Sequence, residues 1–237
     1  MKSIYKTFVL ALFFLQILSF RNERNENNKG EPPNLKVSAQ ISSKSTTPGA
    51  DNLDICTLQD HELNCEHGLL SQFKVEKVGL KKYKINYKCL TPNPKKCNTD
   101  CKNKIMAFDK VKCSVLKTPE FAIDQNNREN TDVLGRLQAQ CPDKSAMKTL
   151  RVRCTSDKQG IYLQFTCCPA KTNACGNKFT SELSYTKDFK KITALERFDI
   201  GVPDEKTQAM TGYYFEKKGS ATDMKLKVEV RYCSIFG

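Results

Sequence analysis

The sequence predicts a mainly β protein: three imperfect antiparallel β-hairpin repeats in a disulfide-stapled, prism-like or sandwich arrangement. Three observations carry this. Apolar and polar residues alternate with a period of two, a hairpin-like pattern recurs three times, and twelve cysteines all fall after residue 55.

The alternation is that of a half-buried antiparallel strand. Tyr83, Ile85 and Tyr87 point one way and Lys82, Lys84, Asn86 and Lys88 the other. Near the C-terminus Met224, Leu226, Val228, Val230 and Tyr232 are expected to face the core, opposite Lys225, Lys227, Glu229 and Arg231. Helix has two short candidates, Asp132 to Ala139 and Thr186 to Arg197, and the second reads equally as a strand.

The recurrence shows when Phe73 to Gly79 is laid over Tyr213 to Gly219: an aromatic, a β-former, Glu-Lys and a glycine coincide. Gly79 and Gly219 fall at the expected hairpin bends, where glycine adopts a positive φ cheaply. A middle copy runs from Leu137-Gln-Ala-Gln-Cys141 through Cys154 to Cys167, matching Glu62-Leu-Asn-Cys65 and the hairpin after it. Cys65 and Cys89 are 24 residues apart, Cys141 and Cys167 are 26 apart, and Val202 falls where the third copy's first cysteine belongs. That third bridge is therefore absent or made elsewhere. Repeats are expected at about 58–115, 134–180 and 195–233, inside one cysteine-rich domain, 53–237.

Cys65, Leu69, Phe73, Val75, Ile85, Tyr87 and Cys89, echoed at Cys141, Met147, Leu150, Val152, Leu163, Phe165 and Cys167, carry a resemblance. The layout resembles uncharacterised secreted cysteine-rich β-repeat proteins and is similar to the three-repeat β-prism of the vitelline membrane outer layer protein. The resemblance implies a secreted coat or binding protein, with no catalytic residues to carry over.

The N-terminus points to export. Lys2 and Lys6 precede the apolar run Phe8 to Leu18, the n-region and h-region of a signal peptide over residues 1–19. About a dozen apolar residues are too few for a bilayer span, which needs about 20. Residues 20–52 are polar and Pro- and Gly-containing, and read as a disordered leader or linker. An even number of cysteines in an exported chain makes disulfides the expected state. All twelve are assigned to bridges: Cys56, Cys65, Cys89, Cys97, Cys101, Cys113, Cys141, Cys154, Cys167, Cys168, Cys175 and Cys233. The adjacent Cys167 and Cys168 point to opposite faces of a strand and are expected to bond two different segments.

Net charge is +13, and loss of residues 1–19 leaves 37 basic against 26 acidic side chains, +11. Such a field attracts sulfated glycans and other polyanions, and equally serves as a solubilising surface. The candidate contacts are the strand cations Lys82, Lys84 and Lys88, then Arg151 and Arg153, then Lys225, Lys227 and Arg231. No Asn-x-Ser/Thr sequon places a glycan over them.

Motifs for chemistry are thin. The only histidines, His61 and His67, flank Cys65. The spacing misses a zinc-peptidase helix, which needs the second histidine at i+4, so the segment reads as an exposed loop with a structural cysteine. No Gly-x-Ser-x-Gly elbow, phosphate loop or Cys-x-x-Cys pair is present. No metal, cofactor or catalytic residue is assigned. The expected partner is an extracellular protein or polyanionic glycan surface, with no nucleic acid and no membrane span. The expected function is a secreted, non-enzymatic binding or structural protein of a matrix, coat or granule. The alternative is a small secreted hydrolase or a disulfide-rich effector.

Overall fold

The structure, a computed structural model, describes residues 39–47, 49–50, 54–78, 82–92, 112–128, 131–170, 172–180, 183–184, 192–218 and 225–235. The expectations for residues 1–19, Gly79, Gly219, Met224, Cys97 and Cys101 lie outside these residues.

The strands are β1 (Ala39–Ser45), β2 (Gly49–Ala50), β3 (Glu62–Asn64), β4 (Leu69–Lys77), β5 (Lys82–Pro92), β6 (Ser114–Lys117), β7 (Phe121–Ala122) and β8 (Gln138–Gln140). They continue with β9 (Ser145–Cys154), β10 (Gly160–Pro169), β11 (Asn173–Phe179), β12 (Leu183–Ser184), β13 (Asp199–Gly201), β14 (Gln208–Lys218) and β15 (Lys225–Ser234). The first helix candidate is largely a six-residue 3₁₀ turn, Thr131–Arg136. Of the second, residues 192–197 form another, Ile192–Arg197, and residues 186–191 lie outside the described residues; a third such turn spans Ile55–Asp60. Each stops just before a three-residue strand, so Ala139, expected to end the first helix, lies in a sheet instead.

Three hairpins, β4–β5, β9–β10 and β14–β15, are the centres of three antiparallel sheets. The first sheet runs β1-β5-β4-β13, the second β6-β10-β9-β3 and the third β11-β15-β14-β8, with β2, β7 and β12 added to β5, β10 and β15. The short strand before each hairpin pairs with a different hairpin. β3 completes the second sheet, β8 the third and β13 the first. The exchange is cyclic.

One backbone bond marks each crossing. Ser71, Lys148 and Thr211 are left unopposed where the hairpin registers shift. Their carbonyls accept from the amides of Val202 (3.0 Å), Cys65 (3.1 Å) and Cys141 (2.7 Å) respectively. Val202 therefore stands where the first two copies have cysteine, as the alignment predicts. Beside the third of these crossings Gly212 admits β8: an added Cβ would lie 2.6 Å from the Ala139 carbonyl oxygen.

The core follows the same order. Phe73, Leu150 and Tyr213 occupy matching places, opposite Tyr87 and Ile200, Phe165 and Leu63, and Val230 and Ala139. All nine are buried in one cluster, and β4, β9 and β14 each pack against the other two. The alternation is thus explained: the apolar face of each hairpin meets the apolar faces of the other two.

Five bridges lie among the described residues. Cys65–Cys89 and Cys141–Cys167 are equivalent, joining the residue after a crossing strand to the second strand of its own hairpin. Cys168, beside Cys167, bonds Cys113, and Cys56–Cys154 ties the first 3₁₀ turn to the end of β9. With Val202 in place of a cysteine, Cys233 bonds Cys175 on β11. The third bridge is made elsewhere.

Two expectations are corrected. Residues 39–45 and 49–50, read as part of a disordered leader, form β1 and β2 against β5. Their pairing is made by backbone groups, which polar composition does not report. His61, read as part of an exposed loop, is 2% exposed. Its Nδ1 meets Thr46 Oγ1 at 2.7 Å, and its ring centroid lies 4.6 Å from that of Tyr83. The β1–β2 segment brings Thr46 over the ring.

Candidate functional site

A groove of about 350 Å³ opens on the solvent face of the first sheet. It is lined by Ser43, Lys44 and Ser45 of β1, Gln72 and Lys74 of β4, and Asn86, Tyr87 and Lys88 of β5. The strand order explains the gathering. Ser43 lies opposite Lys88 and Lys88 opposite Gln72, while Ser45, Asn86 and Lys74 form the next row. Two lysines, two hydroxyls and two carboxamides are thereby concentrated on this face, while Lys44, opposite Tyr87, turns its side chain to the other face and reaches the Asn64 carbonyl; no carboxylate lines the groove.

The lysines differ in their engagement. Lys74 is exposed and has no acidic partner among the described residues. Lys44 Nζ is 3.6 Å from Glu66 Oε2, and that carboxylate is largely exposed. Lys88 Nζ pairs with Glu205 Oε2 at 2.8 Å, just outside the lining. Such part-exposed pairs hold little energy, about 0–1 kcal/mol, so an incoming sulfate or phosphate can replace the carboxylate. Gln72 donates through Nε2 to Asp199, while its Oε1 is buried with no partner among the described residues.

The eight strand cations singled out in the sequence lie on three separate sheets, and Lys88 alone lines this groove. Lys84 pairs with Glu76 at 3.5 Å, Arg151 with Glu62 at 3.2 Å and Lys227 with Glu216 at 3.0 Å. Arg153 donates to Gln164 Oε1. Arg231 donates to Glu229 and Gln140 and lies over the Tyr214 ring. Lys82 and Lys225 are exposed. Alternation identifies the wet face but not the acid on the neighbouring strand that neutralises it. Lys74 was missed because it sits on the first strand of its hairpin.

Glu229 is the exception on these faces. It is 4% exposed, covered by its own partners. Burial opposes its ionised form, but hydrogen bonds from Tyr214, Arg231 and Asn177 outweigh this and lower its pKa. Asp54, Asp157 and Asp204 are also lowered. At Asp54 burial is again opposed, here by Arg128, whose Nε and Nη2 reach the two carboxylate oxygens at 3.0 and 3.1 Å. The displaced carboxylates thus favour the ionised state, opposite to the shift that prepares a general acid.

Near His61 and His67, Cys65 is bonded to Cys89. Among the described residues no group of three His, Cys, Asp or Glu is placed to hold a metal ion, and no helix is long and apolar enough to cross a membrane. Compared with known proteins, the chain matches no family model and no curated protein.

Proposed function

We propose that the protein is a secreted binding protein that takes a sulfated or phosphorylated polyanion along the first-sheet groove. The observation that carries this reading is the convergence of Lys74 and Lys88 from two adjacent strands onto a surface lined by no carboxylate. Ser43 and Ser45 supply hydroxyl donors beside them, while the amides of Gln72 and Asn86 donate to Asp199 and Glu76, and lysines with hydroxyls are suited to charge-assisted bonds with anionic oxygens. The signal-like leader and the five disulfides support an oxidising, extracellular setting. A sheet surface of this kind suits an extended polymer.

The test is elution of the intact protein from an immobilised sulfated glycan in a salt gradient. Replacing Lys74 and Lys88 together by Gln is expected to lower the eluting salt markedly, since exposed charges are screened by ions. The Lys225→Gln, Lys227→Gln pair on the third sheet removes the same charge and is expected to change elution far less. Equal shifts in the two variants would reduce the interaction to net charge and overturn the assignment to the groove.

A further inference from the structure

The cysteine that the third hairpin shares with the other two takes a different partner, and this changes its surroundings. Cys89 and Cys167 bond Cys65 and Cys141 inside the core, all four at 3% exposure or less. Val202 removes that option in the third copy, so Cys233 turns to the edge of its sheet and bonds Cys175, directly opposite it on β11.

Strand β11 is exposed at all seven positions, Asn173 to Phe179, and among the described strands pairs with β15 alone. Cys175 is thus the one exposed cysteine among the five described bridges; Cys113 and Cys154 are half-buried and the other seven are buried. Cys175 and Cys233 also line a cleft of about 440 Å³, together with Asp143, Lys144, Arg231 and Tyr232.

We propose that Cys175–Cys233 is a thiol–disulfide exchange site for a small thiolate. Exchange needs an attacking sulfur to approach one disulfide sulfur in line with the bond it breaks, and an exposed edge strand beside an open cleft permits this. The incoming thiolate forms a new S–S bond to Cys175 Sγ, the Cys175–Cys233 bond breaks, and its electron pair leaves on Cys233 Sγ. The products are a mixed disulfide on Cys175 and a thiolate on Cys233, with no separate oxidant or reductant consumed. Lys144 and Arg231 in the cleft wall favour the departing thiolate. Asp143 and Glu229 act against them, but Glu229 is already held by Tyr214, Asn177 and Arg231. Because β11 contributes no buried side chain, opening this bridge frees an edge and leaves the core closed.

The test uses the intact native protein and glutathione as the probe thiol, with an alkylating quench and mass-spectrometric mapping of the ten described cysteines. The tripeptide is expected on Cys175 and the alkyl group on Cys233, about tenfold faster than opening of any other described bridge, with the circular dichroism spectrum unchanged. Opening of one of the other four bridges first or at the same rate would overturn the proposal, as would adducts that appear only with loss of the folded signal. In the Cys175→Ser, Cys233→Ser variant the fold is expected to persist and the other eight described cysteines to take up no tripeptide on that timescale. Uptake at an undiminished rate in that variant also counts against the site.

Discussion

The rings of Phe73 and Tyr213 meet edge to face, centroids 5.4 Å apart and planes at 75°. They are the leading residues of the two segments that align in the sequence, and they sit at equivalent places in the first and third sheets. Edge-to-face pairs add about 0.5–1.5 kcal/mol beyond the area they bury. With Leu150 of the second sheet they join the three hairpins in one core. Truncation of Phe73 to Ala is expected to cost about 3–5 kcal/mol, and Phe73→Leu about half as much. Urea unfolding midpoints with the disulfides intact provide the check; similar small losses for both would show that the contact bears little load.

Acid stability should depend on His61. Burial, the dominant cause, lowers its pKa below the ordinary 6.5, against a smaller opposing effect of Asp60. The unfolded chain then takes up its proton at a higher pH than the folded chain. Stability is complete above about pH 6.5 and falls as the pH drops below it, by at most about 1.4 kcal/mol per pH unit. Replacement of His61 by Phe is expected to flatten that fall between about pH 7 and pH 5, a range above the carboxylate titrations. An unchanged slope in urea titrations at the two pH values contradicts the assignment.

Glu205 competes with any anion for Lys88, since their side chains meet at 2.8 Å while both remain part exposed. Glu205→Gln is expected to raise the salt needed to elute the protein from a sulfated matrix. Glu216→Gln, which removes the 3.0 Å ion pair to Lys227 on the third sheet, takes away the same charge and is expected to raise it less. The comparison is a pair of salt-gradient elutions.

Val202 occupies a cysteine's place with the backbone bond of that place intact, its amide 3.0 Å from the Ser71 carbonyl. Val202→Cys combined with Cys175→Ser is expected to form a Cys233 bridge equivalent to Cys65–Cys89. It should recover about 2–4 kcal/mol relative to Cys175→Ser alone. Peptide mapping under non-reducing conditions identifies the bond, and a free thiol at position 202 would show that the third crossing differs in geometry.

Much of this was legible in the chain because the information is local. The alternation through Tyr83, Ile85 and Tyr87 reports a strand with one buried face, and the 24- and 26-residue spacings report two bridges in matching places. The gap at Val202 signalled that the third copy's bridge is absent or made elsewhere, and Cys233 makes it with Cys175. Less local features were hidden. A three-residue strand such as β3 carries no periodicity, so its departure to another sheet leaves no trace in the sequence around it. The β1 segment is held through main-chain pairing, and its Ser43 and Ser45 enter the groove only because β1 lies beside β5. Glu229 reads as a wet-face residue by alternation, yet Tyr214, Asn177 and Arg231 cover it from three strands. The ion pairs that occupy most of the strand cations arise from register, which charge counting does not contain.

The cyclic exchange of short strands also sets an order on synthesis. The first sheet gets its outer strand from Asp199–Gly201, over a hundred residues after the hairpin it borders. A nascent chain with the first two hairpins already made still presents β4 with a bare edge, able to pair with a neighbouring chain. Closure must wait for the last third of the polypeptide, and such distant pairing is slow to form. The compartment in which such a chain folds has to shield an unfinished sheet as well as oxidise its cysteines.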